Sequence, residues 1–287
     1  MSRENVPIDG ATVDPDRVVK ASDPEGAFGT TARYWINQNL PLLARTHLGD
    51  KHRILDLGCG DGPNAGLLAQ GGVSGEYLGV DLASSPFWGE RAGRQGKRSV
   101  RFATHDAHEI GELREEFDGL VSVSAFEHFR NDREVVEGLA RRLVSGARGL
   151  VIVPSPYGNL VWGFRHGFRT YTPARFEKLL GGTPLRLIDA RPSGSLPSLV
   201  ATTVWRGTSL ALGYAVLGAM WLRHGRDRAA AKQRSPWITT LAGTIQFGHL
   251  QTETGRTLHR GLNRRLLELD DRLPGFPTQW VFVIERV

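Results

Sequence analysis

Three glycines at alternate positions, Gly58, Gly60 and Gly62, follow the apolar run Arg53–Leu57, in which Asp56 is the penultimate residue. Glycine at such a turn lets the chain reverse tightly and lets a ligand approach where a Cβ would collide. Ligands of parallel α/β sheets sit just beyond the carboxyl ends of the strands, so this turn marks a binding site. A dinucleotide is disfavoured, because the third glycine of G-x-G-x-x-G counted from Gly58 falls on Pro63. A phosphate loop, G-x-x-x-x-G-K before Ser or Thr, is not found in the chain, which disfavours ATP.

A second group of chemistry-bearing residues lies further along. Glu127 and His128 directly follow a later apolar run, where a reacting group would sit, and His128 is a candidate general base near neutral pH. The competing reading of this pair is a packing feature at a helix start. His105 is either chemical or simply packed. Tyr157, Arg165, His166, Arg169 and Tyr171 form a patternless cation–aromatic stretch suited to an acidic or phosphorylated substrate, or else a solvated loop. His249, Glu253 and His259 lack convergent metal-ligand spacing, so no metal is expected.

These residues need a scaffold, and the hydrophobic pattern supplies one. Strands are expected at Arg53–Leu57, Tyr77–Asp81, Val100–Thr104, Gly119–Ser124, Leu150–Pro154, Leu185–Asp189 and Gln279–Glu285. Helical composition falls between them, at Asn64–Gln70, Phe87–Arg94, Ile110–Glu116, Asp132–Leu143 and Pro173–Leu180. A further helix is expected over 32–48, interrupted by Pro41. The alternation predicts an α/β fold: a doubly wound, mostly parallel, seven-stranded sheet with a helical insertion before its last strand. The expected organisation is a loose arm over 1–25, an α/β domain over 26–192, an insertion or lid over 193–275, and the domain's final strand in 276–287.

The D-x-G-x-G core at Asp56, Gly58 and Gly60 resembles the first motif of class I S-adenosylmethionine (SAM)-dependent methyltransferases, which have a Rossmann-like fold. The resemblance covers most of residues 50–192 and repeats at three more places in the family's order. It implies that Asp81, ending YLGVD, grips the ribose hydroxyls with Leu82 beside it. It implies that Asp106 and Ala107 meet the adenine, and that FDGLVSVSAFEH, with Ser124, lines the methyl-transfer site. Asp56 and the glycine turn would meet the cofactor's carboxylate and ammonium ends, Asp61 would bind cofactor beside them, and Tyr34 would either close over the methionine end or be a core tyrosine. The implied protein is an enzyme whose cofactor is SAM, and whose main task is aligning a nucleophile with an already activated methyl.

Composition narrows the partners. The net charge of +6 sits in one segment, because eleven Lys and Arg face five acids between Ser193 and Gly275 while the remainder is neutral. No recognisable RNA-binding module accompanies it, and the basic residues are not interleaved with aromatics. The leading reading is therefore methyl transfer, most often to oxygen, on a small-molecule, glycan or lipid-linked acceptor. An RNA methyltransferase docking through the insertion is the alternative, and a non-catalytic SAM-binding subunit is a third; DNA is not expected. Sixteen uncharged residues from Gly207 to Leu222 would span about 24 Å as helix, short of an approximately 30 Å hydrocarbon core. Peripheral membrane contact through 205–226 is the most such a segment would support. The single Cys59 and a polar N-terminus fit a cytoplasmic location, with membrane association as an addition.

Overall fold

The computed structural model describes residues 31–95, 97–162, 167–204 and 253–287, together with 207, 208, 211, 215 and 218. Its centre is a sheet of eight strands: β1 (Arg53–Leu57), β2 (Gly75–Asp81), β3 (Gly93–Gln95), β4 (Arg98–Thr104), β5 (Phe117–Val123), β6 (Leu143–Pro154), β7 (Leu185–Ser193) and β8 (Gln279–Arg286). Their order is β3-β4-β2-β1-β5-β6-β8-β7. The run β4-β2-β1-β5-β6 is parallel, and β8 enters antiparallel between β6 and β7. This is the doubly wound sheet expected from the alternating pattern, with the three-residue β3 added antiparallel on its edge.

Strand geometry sends alternate side chains to opposite faces, and both faces here are apolar. Leu55 and Leu57 enter one core with Leu78, Leu120, Val151 and Phe282, whereas Ile54 enters the other with Tyr77, Val100, Val121 and Val283. Helices cover both. On the second face lie α1 (Thr31–Leu48), through Ile36, Leu40, Ala44 and Leu48, and α2 (Asn64–Gln70), through Leu67 and Leu68. On the first lie α4 (Asp132–Arg142), through Val135 and Leu139, and α6 (Pro173–Leu180), through Phe176 and Leu180. Asn131 caps α4 and Thr172 caps α6, each accepting a backbone N–H three residues on.

Three local expectations are corrected. The 31–48 helix runs unbroken through Pro41, held by its buried apolar stripe against the sheet despite a lost backbone donor. The helix expected over 87–94 shrinks to α3 (Trp88–Arg91), because Gly93 takes a φ of 105° and β3 begins there. The segment expected to be helical over 110–116 is a 3-10 turn, Ala107–Glu112, capped by Asp106. Further helices among the described residues are α5 (Pro156–Trp162), residues 196–204 and α7 (Glu253–Arg272).

Candidate active site

At the carboxyl ends of β1, β2, β4 and β5 lies a cavity of about 660 Å³, within the usual range for a small-ligand site. The glycine turn forms its floor. Gly58 and Gly60 have φ of 72° and 53°, and a Cβ on Gly58 would lie 2.4 Å from the Ala125 Cβ. A Cβ on Gly60 would meet nothing within 4 Å, so there the missing side chain leaves open space for a ligand. The Asp81 carboxylate, at the end of β2, accepts the Gly60 N–H at 2.8 Å and so ties this turn to the next strand.

Around that floor the lining brings together Gly58, Gly60, Asp61, Asp81, Leu82, His105, Asp106, Ala107, Ser124 and His128 from the candidates. Leu82 is exposed at the rim. Ser124 has a φ of 53°, an outlier for a non-glycine residue of the kind often held at functional sites, where the chain leaves β5. Asp106 accepts both the backbone N–H and the Nδ1 of His108, the latter at 2.7 Å, and these bonds hold its carboxyl below the ordinary value. His108 Nε2 accepts the Asn131 N–H at 3.1 Å, which assigns the proton to Nδ1 and fixes one tautomer.

Other candidates lie elsewhere. Asp56 does not line the cavity: fully buried behind Asn64, it accepts from Tyr77 Oη and from Asn64 Nδ2 at 3.0 Å. Burial pushes its carboxyl up to about 6 against those bonds and the nearby Arg33. Tyr34 packs in the core of α1, and its neighbour Arg33 is the one that lines the cavity. Glu127 is wholly buried and outside the lining, and its carboxyl is pushed up to about 7 by burial. The His128 Nε2 lies 3.9 Å from its Oε1.

The substrate cluster does not converge on the cavity. Tyr171 is fully buried between Phe126 and Phe176, with its hydroxyl on the Phe126 carbonyl and Asp132. Arg169 donates to the Phe129 carbonyl and pairs with Asp132 at 3.3 Å, so it braces a loop. Tyr157 is exposed but stacks edge-on against Phe276, away from the lining. Arg165 lies outside the described residues. Aromatic and cationic types suit a ligand and a packed loop equally well, which is why sequence could not separate the two.

Sequence reading also missed Arg33, Asn64, His108 and Phe129, all in the lining. Asn64 opens the helix after the glycine turn, a position that carries a signal; the others come from chain distances that no local pattern reveals.

The residues fit a zwitterionic, cationic cofactor. Among the described residues Asn64 Oδ1, in the lining, is a buried acceptor without a donor, which an ammonium group would supply. Arg33 can meet a carboxylate, Asp61, Asp81 and Asp106 give the lining an acidic character that favours a sulfonium, and Leu82 offers an apolar rim.

Residues 54–146 match the family model for a methyltransferase domain. That stretch of the chain is a methyltransferase domain of the SAM-dependent kind, and the cofactor such a domain implies is S-adenosylmethionine. Among solved structures, the 4+2 cyclase SpnF is similar at 13% identity, covering 91% of this chain and 84% of its own, with a TM-score of 0.53. A SAM-dependent methyltransferase from Archaeoglobus fulgidus is similar at 15% identity over 86% and 93%, with a TM-score of 0.49. No curated protein matches the chain by sequence.

Proposed function

We propose that this enzyme moves the methyl group to a hydroxyl oxygen of a small-molecule, glycan or lipid-linked acceptor, with His128 as general base. The observation that carries this reading is the placement of His128, half-exposed in the cavity lining beside Ser124, Ala125 and Phe129. Burial lowers its pKa below the ordinary 6.5, so the imidazole is neutral at pH 7 and can accept a hydroxyl proton.

When bound, SAM supplies a methyl already activated on a sulfonium. The chain's contribution is then positioning: Gly60 leaves room for the cofactor, and Asp81 and Asp106 hold its nucleoside end. Asn64 and Arg33 take its amino-acid end. Alignment of this kind lowers a barrier by roughly 7–11 kcal/mol, and a general base adds about 10²–10⁴-fold for a hydroxyl nucleophile. The lining residues described fall between 33 and 129, which supports assigning cofactor binding to the α/β domain.

The test is transfer of labelled methyl from SAM into a host extract, run with His128→Gln and with binding of S-adenosylhomocysteine measured alongside. Label in hydroxyl-bearing small molecules or lipids, lost by about 10²–10⁴-fold in the variant while binding holds, is the expected result. Label in RNA would replace the acceptor class, and an undiminished variant would remove His128 as base. Binding without any label in the wild type would mark a subunit that holds SAM without turnover.

A further inference from the structure

Surface helices ordinarily turn their leucines inward. The helix α7 does the reverse. Its buried positions are polar, His259, Asn263 and Asp270, whereas Leu258 (69% exposed), Leu262 (55%) and Leu269 (43%) face outward, followed by Leu273 (54%). At about 100° per residue these leucines fall within roughly 60° of arc. Residues 196–204 repeat the pattern, with Ser198 and Thr202 buried while Leu196, Val200 and Val204 are exposed at i, i+4 and i+8.

A polar joint ties the two segments together. The Asp270 carboxylate accepts from Ser195 Oγ at 2.9 Å, from the Ser198 N–H at 3.0 Å and from Ser198 Oγ. Polar groups satisfied between helices and apolar stripes outside is the arrangement suited to an apolar surrounding. Single exposed leucines are ordinary, but two aligned stripes on joined segments mark an interaction surface.

Charge indicates what covers it. The chain's net charge of +6 lies between Ser193 and Gly275, most of it in the sequence at 205–252 that joins the two segments; on α7 itself Arg265 and Arg272 are exposed at the edge of the leucine stripe, with the acid Glu268 beyond them. Just beyond α7, Phe276 is held outward at a φ of 50°, its ring 5.1 Å from that of Tyr157, which is also exposed. Aromatics of this kind seat at headgroup level. Among the described residues no helix is long and apolar enough to cross a membrane. An apolar stripe, a basic edge and no spanning helix together describe a surface that lies in a lipid interface.

We propose that residues 196–204 and α7 seat this enzyme on an anionic lipid surface, leucines in the acyl boundary and arginines at the phosphates. The proposal is independent of which atom accepts the methyl.

Full-length protein is sedimented with vesicles of phosphatidylcholine alone and with vesicles of equal parts phosphatidylcholine and phosphatidylglycerol. Partition into the mixed vesicles only, reversed by salt, is expected. Arg265→Gln with Arg272→Gln should lower it about 25-fold, since each arginine at an anionic surface is worth about fivefold. Leu262→Glu with Leu269→Glu should lower it at least about tenfold. S-adenosylhomocysteine affinity should hold in both variants, and if the leucine pair fails to fold, the arginine pair still decides. Absence of partition by the wild type, or partition unchanged in the arginine pair, would overturn the proposal. So would a solution dimer dispersed by the leucine substitutions without vesicle binding, which would assign the stripe to self-association.

Discussion

Replacing Glu127 with glutamine removes a buried carboxyl that the fold holds at a cost. Among the described residues neither oxygen has a side-chain hydrogen-bond partner, and burial raises the group from an ordinary 4.5 to about 7 against a backbone hydrogen bond within the residue itself. A carboxyl whose pKa is raised on folding binds its proton more tightly in the folded chain. Its contribution is therefore fully present below pH 4.5 and is lost as pH rises through about 7. At about 1.4 kcal/mol per pKa unit, the loss between those limits is about 3 kcal/mol. Glutamine keeps the shape and cannot ionise, so Glu127→Gln should stabilise the protein by up to about 3 kcal/mol at pH 8 and by less than about 1 kcal/mol at pH 5. Urea unfolding of both proteins at the two pH values measures this directly. A stability difference independent of pH, or a variant weaker at pH 8, would refute the assignment of a buried, proton-holding carboxyl.

The glycine turn gives a paired test: Gly58→Ala, whose new Cβ would collide with Ala125 at a φ of 72°, should cost about 2–4 kcal/mol in thermal unfolding. Gly60→Ala should cost only about 1 kcal/mol yet weaken cofactor binding, because its Cβ would enter the open space of the cavity. Asp81→Ala should reduce the affinities for SAM and S-adenosylhomocysteine together, by about 10–100-fold in calorimetric titrations, since both present the same ribose. Tyr171→Phe should lower stability by about 1–3 kcal/mol while leaving the acceptor KM unchanged, because its hydroxyl serves Asp132 and the Phe126 carbonyl.

Much of the fold was readable from local signals. Continuous apolar runs of strand length, separated by helical stretches, are physically distinct because both faces of a parallel sheet are buried. The turn at Gly58 and Gly60 and the acids closing β2 and β4 were visible because they sit at fixed offsets from those runs. Their convergence on one cavity follows from the strand order, since β1 lies between β2 and β5.

What the sequence determined by itself, then, was the class of sheet, the ligand turn and the order of the acidic strand ends, all properties of short stretches. Only the tertiary structure decided which way individual side chains faced. It put Arg33 rather than Tyr34 in the lining, sent Tyr171 and Glu127 to the interior, and locked His108 between Asp106 and Asn131. The leucines of α7 likewise carry an ordinary amphipathic pattern, and their outward orientation appeared only once Asp270 was seen bonded to Ser195 and Ser198. Periodicity identifies a helical face, but it cannot say whether that face meets protein or its surroundings, because that depends on contacts made across roughly seventy residues of chain.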